Sequence, residues 1–328
     1  MQIINQNMIR HAPIVFTPYF KRVIWGGTKI CDYKGIPHPA TDIGESWEIS
    51  VVPGQESIVE KGEYKGLSLS HLVDRFGEQI LGRRVTQRYD GKFPLLIKFI
   101  DAHDKLSVQV HPDDRLAMQR HGTLGKSELW YIIDSAPGAK IYVGLKEQLS
   151  PEEFSRRVKE GSFAETLAET ESEEGDVFFL PAGRVHAIGA GNLLVEIQES
   201  SDITYRIYDY ERRDNDGNLR ELHTEEARDA IDYTVKECYK NPPLPEDVAE
   251  SELIRCEHFT TKLYHIDPEQ EINVDPDSFT VLICIKGEVT IKCNDGEETL
   301  RAGHTALIPA QTDKIKVSGR GTILSTQA

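Results

Sequence analysis

The stretch GDVFFLPAGRVHAIGAGNLLVEIQESSDITYR, Gly175 to Arg206, decides how this 328-residue chain is read. Phe178, Phe179 and Leu180 form an apolar run with the pattern of a buried strand. Pro181 and Gly183 break that run at a turn, and the alternation of Leu194, Glu196 and Gln198 marks a second strand. His186 stands just beyond the turn. A lone histidine is ordinarily a core or surface imidazole. A glycine, a proline, a glycine and a histidine at four fixed spacings form a far more specific signal, and they direct attention to what else could complete a metal site.

Working outward, the segment LSVQVHPDD supplies the first candidates. Leu106, Val108 and Val110 alternate with Ser107, Gln109 and His111, so a strand places the three polar side chains on one face. That face is either a solvated edge or a polar interior around a metal. GKSELWYIID, Gly125 to Asp134, reads as a further strand with Lys126 and Glu128 on one face. Gln109, His111, Glu128 and His186 then offer two imidazoles, one carboxylate and one amide oxygen. Two histidines and a carboxylate suit zinc, or iron(II) where positions stay open. One carboxylate against a dication leaves net positive charge, which favours an anionic or electron-rich substrate.

Composition narrows the partners. A formal charge of −16 opposes binding to nucleic acid or an anionic membrane. A small phosphorylated ligand can bind only at a local basic pocket. No membrane-spanning apolar run is present, and the start MQIINQNMIRHAPIVF lacks a signal-peptide pattern, so a cytoplasmic protein is expected. Five scattered cysteines without a CxxC pair read as reduced thiols. Cys284 and Cys293 are expected as small core residues.

The remaining elements frame the site. The simplest reading of Trp25 and Trp47 is core packing, preferred for Trp47. SHLVDRFGEQILG reads as an amphipathic helix opened by Ser70 and stopped by Gly82. FPLLIKFI, Phe93 to Ile100, is an apolar strand interrupted by Lys98, whose head is expected to snorkel to solvent or else meet an anion. Ser150 and Pro151 start a helical insert over about residues 150–171. Residues 205–222 read as a strand and a hairpin around Asp216-Gly217, and Thr224 as the cap of a short helix. NPPLPED, Asn241 to Asp247, is the candidate linker. Beyond it, AGHTALIPA, Ala302 to Ala310, aligns with EGDVFFLPA, Glu174 to Ala182, putting Lys314 where His186 sits and Asp277 where Glu128 sits. Residues 248–328 are therefore expected to be a degenerate copy without metal ligands. Residues 1–240 are expected to be the metal-binding domain.

The spacing from Gly175 to His186 resembles the second cupin motif, in which that histidine is a metal ligand at the mouth of a small β-barrel. The implied fold is mainly β, two cupin-type jelly-roll barrels with short helical insertions. Gln109 stands where the usual first motif has a histidine, which sets the chain apart from typical cupin dioxygenases. With Trp25-Gly26-Gly27, Gly44-Glu45-Ser46-Trp47, Lys98, Ser107 to Asp114, Lys126-Ser127-Glu128 and Gln198 to Arg206, the chain resembles type I mannose-6-phosphate isomerases in their shorter bacterial form. The resemblance implies a reversible conversion of mannose 6-phosphate to fructose 6-phosphate with one zinc per chain, held by Gln109, His111, Glu128 and His186. It implies a catalytic role for Arg206, Lys126 and Glu196, and pocket roles for Lys98, Ser107, Glu45 and Trp25. Glu196 and Lys126 both remain candidates for the general base. Against these stand an exposed carboxylate for Glu196 and a surface ion pair with Asp202 or Asp209 for Arg206. The competing readings are a non-catalytic sugar-phosphate sensor and a metal-dependent oxidase or oxygenase. The intact ligand set opposes the first, and Gln109 opposes the second.

Overall fold

The computed structural model describes residues 8–213, 217–245, 248–312 and 314–328. Asp216 of the expected hairpin, and Glu246 and Asp247 of the linker, lie outside the described residues. The chain is mainly β, arranged in three antiparallel sheets.

The strand predicted at FPLLIKFI runs Leu95–Ala102, and every residue in it is buried. It sits inside a six-stranded sheet, between Asn192–Glu199 and Ile43–Ile49. Glu128–Ser135 flanks Asn192–Glu199 on its other side, and Val177–Leu180 closes that edge. Strands covered on both faces need near-continuous apolar sequence, which these segments have. A five-stranded sheet packs opposite, in the order Tyr205–Tyr208, Val108–Val110, His186–Ile188, Lys140–Leu145 and Leu167–Glu171. Ile100, Trp130, Ile132 and Leu194 from the first sheet meet Ile141, Val143 and Ile188 from the second in one buried cluster.

Residues 250–327 build a third sheet around the long strands Thr280–Cys293 and Ile315–Gln327. Ile14–Thr17 enters it by pairing with Thr305–Ile308, and Ile58–Val59 pairs with Ile14–Thr17 in turn. This sheet therefore borrows strands from the start of the chain. None of the three strand orders closes on itself among the described residues.

Several local expectations shift. The predicted helix from Ser70 starts earlier: Ser68 is the cap, its Oγ accepting from the His71 amide at 3.2 Å, and the helix spans Leu69–Phe76. Gly77, with φ 50°, interrupts it before a short turn Glu78–Leu81. Gly82 ends the run with φ 83° and backs onto the Asp277 carbonyl, where a β-carbon would have no room. Ser150 caps the helix Pro151–Lys159 as its spacing implies. The insert is less helical than expected: a single 3₁₀ turn follows, and Leu167–Glu171 is a strand paired with Lys140–Leu145. Thr224 is the first residue of its helix, after His223 at the cap position, and gives no side-chain cap. All five cysteines are free, with Cys284 and Cys293 in an apolar core. No helix of the described residues is long and apolar enough to cross a membrane.

Candidate active site

The two facing sheets bring the predicted ligands together through strand register. Gln109 lies opposite His186 on one side and Arg206 on the other. Glu128 lies opposite Leu180 and Gln198. His111, just past its strand, completes the group. Of the two faces open to LSVQVHPDD, the structure selects the interior: Ser107 and His111 are buried and Gln109 is partly buried.

The donor atoms suit a divalent ion. His111 Nδ1 donates to the Ile203 carbonyl at 2.7 Å, and His186 Nδ1 donates to the Arg184 carbonyl at 2.8 Å. Each bond fixes the tautomer that leaves Nε2 unprotonated. Those Nε2 atoms lie 3.4 and 3.5 Å from the Glu128 carboxylate oxygens. Glu128 is fully buried and neither oxygen has an aligned hydrogen-bond donor. Gln109 sets its amide 3.2 Å from His186 Nε2. Burial outweighs the opposing pull of Glu128, holding His186 at about 3 and, with Lys126 beside it, pushing His111 below its ordinary value, so both imidazoles stay neutral at physiological pH. Burial opposes charge on Glu128, yet Lys126 and the two histidines outweigh it and keep the carboxyl well below the usual range. Two neutral imidazoles, each oriented by its Nδ1 hydrogen bond so that Nε2 faces inward, and a buried carboxylate between them fit a zinc-type site.

Above this group opens a cavity of about 430 Å³, with Gln109 and Lys126 in its wall. That volume accommodates a small metabolite. Five cations line it (Lys21, Lys98, Lys126, Arg206 and Arg220) against the carboxylates Glu45, Glu196 and Asp202. In a chain of charge −16 this is the local basic pocket that an anionic ligand requires.

Lys98 departs from the expected snorkelling. It is buried beneath the cavity, with Nζ 3.0 Å from Glu196 Oε1 and 3.8 Å from Glu45 Oε2, and it faces the Trp47 ring. Burial disfavours its charge, but Glu196 and Glu45 together prevail and raise it above the ordinary lysine value. Glu196 is not the exposed strand carboxylate that competed with its site role: Trp130 Nε1 donates to Oε2 at 2.8 Å, and Lys98 holds Oε1. Glu45 accepts from Trp47 Nε1 at 2.6 Å. Lys126 Nζ stands 2.6 Å from Glu128 Oε1 and 3.4 Å from His111 Nε2. Ser107 Oγ reaches toward Gln109 Oε1 at 3.4 Å, and Trp25 is buried in the wall.

Among the described residues, Arg206 forms no ion pair. Asp209, one of its two candidate partners, is taken by Arg212 at 2.6 Å and by Arg220. Arg206 instead donates from Nη1 to the Glu221 carbonyl at 2.9 Å, and its Nε is buried without a partner. Burial and the adjacent Arg220 lower its proton affinity. Lys21, Trp47, Trp130 and Arg220 belong to the site without having been assigned to it in the sequence. A β-bulge after Arg206 and the loop returning to Arg220 give no periodic signal. Trp47 was read as core, and it is both core and pocket wall.

Comparison with known proteins identifies the group to which this arrangement belongs. The mannose-6-phosphate isomerase ManA of Bacillus subtilis is 34% identical over 319 residues, covering 94% of this chain and 96% of its own. The chain belongs to the type I phosphomannose isomerase family. The description "Phosphomannose isomerase type I, catalytic domain" matches residues 14–131, and "Mannose-6-phosphate isomerase, cupin domain" matches residues 249–327. A Streptococcus mutans mannose-6-phosphate isomerase is 39% identical over 219 residues, 67% of each chain. The crystal structure of the mannose 6-phosphate isomerase from Bacillus subtilis superposes with a TM-score of 0.85 at 33% identity, covering 96% of this chain and 99% of that one. The overall architecture is therefore that of the cupin-type isomerases, and this chain is an enzyme of that family.

Proposed function

We propose that this enzyme is a zinc-dependent aldose–ketose isomerase interconverting mannose 6-phosphate and fructose 6-phosphate through a cis-enediol. The observation that carries the reading is the joining of a two-histidine, one-carboxylate cluster to a five-cation cavity, in a chain of this family. Gln109, His111, Glu128 and His186 would hold one zinc per chain. When bound, it polarises the substrate carbonyl or orients the open-chain sugar.

The chain's own groups carry the rest. Arg206, with its unpartnered Nε, offers donors to the enediolate oxygen or the phosphate. Arg220 and Lys21 add positive charge at the same cavity. Isomerisation removes the proton from C2, returns one to C1, and passes the hydroxyl proton from O2 to O1. Lys126, next to the ligand cluster, is assigned the carbon-to-carbon transfer. Glu196, fixed by Lys98 and Trp130, is assigned the hydroxyl proton and the grip on the sugar. Lys98, Ser107, Glu45 and Trp25 shape the pocket. The functional division runs between residues 1–240, a metal-binding cupin unit, and residues 248–328, a unit that supports it.

The test is turnover of mannose 6-phosphate on the protein as purified, after chelation, and after zinc is returned. Loss and recovery of fructose 6-phosphate formation is expected. A zinc-loaded protein that binds sugar phosphate without turning it over would overturn the isomerase reading in favour of a sensor.

A further inference from the structure

A second convergence of ligating side chains lies away from the pocket, where the residue 250–327 sheet meets the rest of the molecule. Asp114 is the first residue of the helix Asp114–His121, Glu199 ends the strand Asn192–Glu199, and His258 occupies the turn between Glu250–Arg255 and Thr260–Ile266. One donor atom from each lies within 4.8 Å of the other two. Three distant parts of the sequence thus deliver an imidazole and two carboxylates to one point.

Apart from a contact between the Glu199 and Asp114 carboxyls, the hydrogen bonds among the described residues leave those atoms uncommitted. Glu199 is 1% exposed, and its Oε2 accepts from the Ser127 amide at 2.7 Å. Its other oxygen, Oε1, has no hydrogen-bond partner although it is buried. His258 Nδ1 lies 3.0 Å from that oxygen without hydrogen-bond alignment, and it too is unpartnered. Asp114 spends Oδ1 on the Gly125 amide at 2.7 Å and turns Oδ2 toward His258 Nδ1, 4.0 Å away. A buried carboxylate oxygen facing an imidazole nitrogen is costly unless a proton or a cation lies between them.

We propose that Asp114, Glu199 and His258 form a second divalent-metal site, taking zinc or a similar borderline ion, which clamps the residue 250–327 sheet to the catalytic unit. One nitrogen and two carboxylate oxygens are donors for such ions, and three protein ligands leave room for water on the exposed Asp114 side. Two carboxylates neutralise the dication, in contrast to the single carboxylate of the catalytic cluster. Glu199 also holds the amide of Ser127, between Lys126 and Glu128, but it does so with Oε2, the oxygen turned away from His258. The site stands independently of the isomerase reading.

The test measures metal content by mass spectrometry on zinc-equilibrated, gel-filtered protein. His258→Gln is expected to carry one zinc fewer per chain than the unmodified protein while keeping its turnover. Glu128→Gln is expected to lose a different zinc and to keep a zinc-induced rise in melting temperature that disappears when His258→Gln is added. Equal zinc content in His258→Gln and the unmodified chain would overturn the proposal, whether the extra metal is absent or bound adventitiously at the surface. Should the variant not fold, anomalous scattering at the zinc edge from crystals of the unmodified enzyme decides. A peak among the three side chains supports the site, and a peak confined to the His111–Glu128–His186 group overturns it.

Discussion

The segments Gly175–His186 and Gly303–Lys314 are built on the same backbone plan and end in opposite chemistry. Gly175 and Gly303 have φ of 88° and 83°, and the amide of each donates at 2.9 Å to a neighbouring strand, to Ile132 and Cys284 respectively. Each leads into a four-residue strand, Val177–Leu180 or Thr305–Ile308, and then to a proline. After that the copies part. His186 turns inward to Glu128, whereas Lys314 lies exposed beside Glu271 at 3.7 Å. The expected match of Asp277 to Glu128 does not hold: Leu180 lies opposite Glu128 and its counterpart Ile308 lies opposite Thr280, so a buried threonine takes the carboxylate's place, while Asp277 precedes the strand and faces Arg83 at 3.5 Å. Around the second copy the interior is Leu282, Cys284, Ile291, Ile315, Val317 and Ile323, all fully buried. Around the first it is His111, Lys126, Glu128, His186, Lys98 and Glu196. Buried charge is tolerated only when every group has a partner, and it contributes little net stability. An apolar interior of the same shape stabilises by burial alone, at about 25 cal/mol per Å². One scaffold thus hosts a reactive interior on one side of the molecule and a stabilising one on the other.

The contrast is broken most severely at the first interior. His186→Ala should lower metal content and reduce kcat/KM on the order of 10³-fold, the equivalent of the several kcal/mol a metal supplies to charge stabilisation. Zinc assay with sugar-phosphate turnover checks this. Arg206→Ala should keep the metal but lose about 10²- to 10³-fold in kcat, the usual cost of removing a preorganised charge-stabilising donor. Unchanged kcat would return Arg206 to a structural role.

Acidification separates the interiors further. His186 falls from 6.5 in the unfolded chain to about 3 in the folded one, so the unfolded state binds the proton more readily. The metal-free protein should therefore lose stability as pH drops from about 6.5 toward about 3. Urea titrations across that range should show a weaker dependence in His186→Ala. In the apolar interior, Ile291→Val should cost about 0.5–1.5 kcal/mol of unfolding free energy with kcat unchanged. The smallest effect belongs to Lys314→His. Lys314 is exposed, so stability should move by no more than about 0.5 kcal/mol, and equilibrium dialysis should find no added zinc, because Thr280 supplies no carboxylate at the position of Glu128. Metal capture by that variant would show that one imidazole suffices to convert one interior into the other.

The sequence was informative wherever chemistry and period coincided. The four clustered donors and the buried strand at Phe93 to Ile100 were legible because spacing constrains them, and the repeat was legible only in part: Gly303 and Pro309 follow the plan of Gly175 and Pro181, but the alignment put Asp277 where the register puts Thr280. Lys98 was misjudged because snorkelling is the ordinary solution for a lysine in an apolar strand, and its partners Glu196 and Glu45 come from strands 98 and 53 residues away. The helix start at Ser68 was missed because two serines compete for the cap, and the true one is chosen by tertiary packing. Lys21 and Arg220 reach the cavity from an irregular strand and a loop, where no pattern announces them.

The strand Ile14–Thr17 carries a consequence for the birth of the molecule. Its partner Thr305–Ile308 is about 290 residues further along, so on a ribosome adding about 5–20 residues per second it waits on the order of 15 to 60 s for that edge to exist. During that interval Ile14, Val15 and Phe16, all buried in the finished enzyme, are apolar side chains without their final cover. Until that edge is made, this strand exposes the newborn chain to chaperones and to self-association.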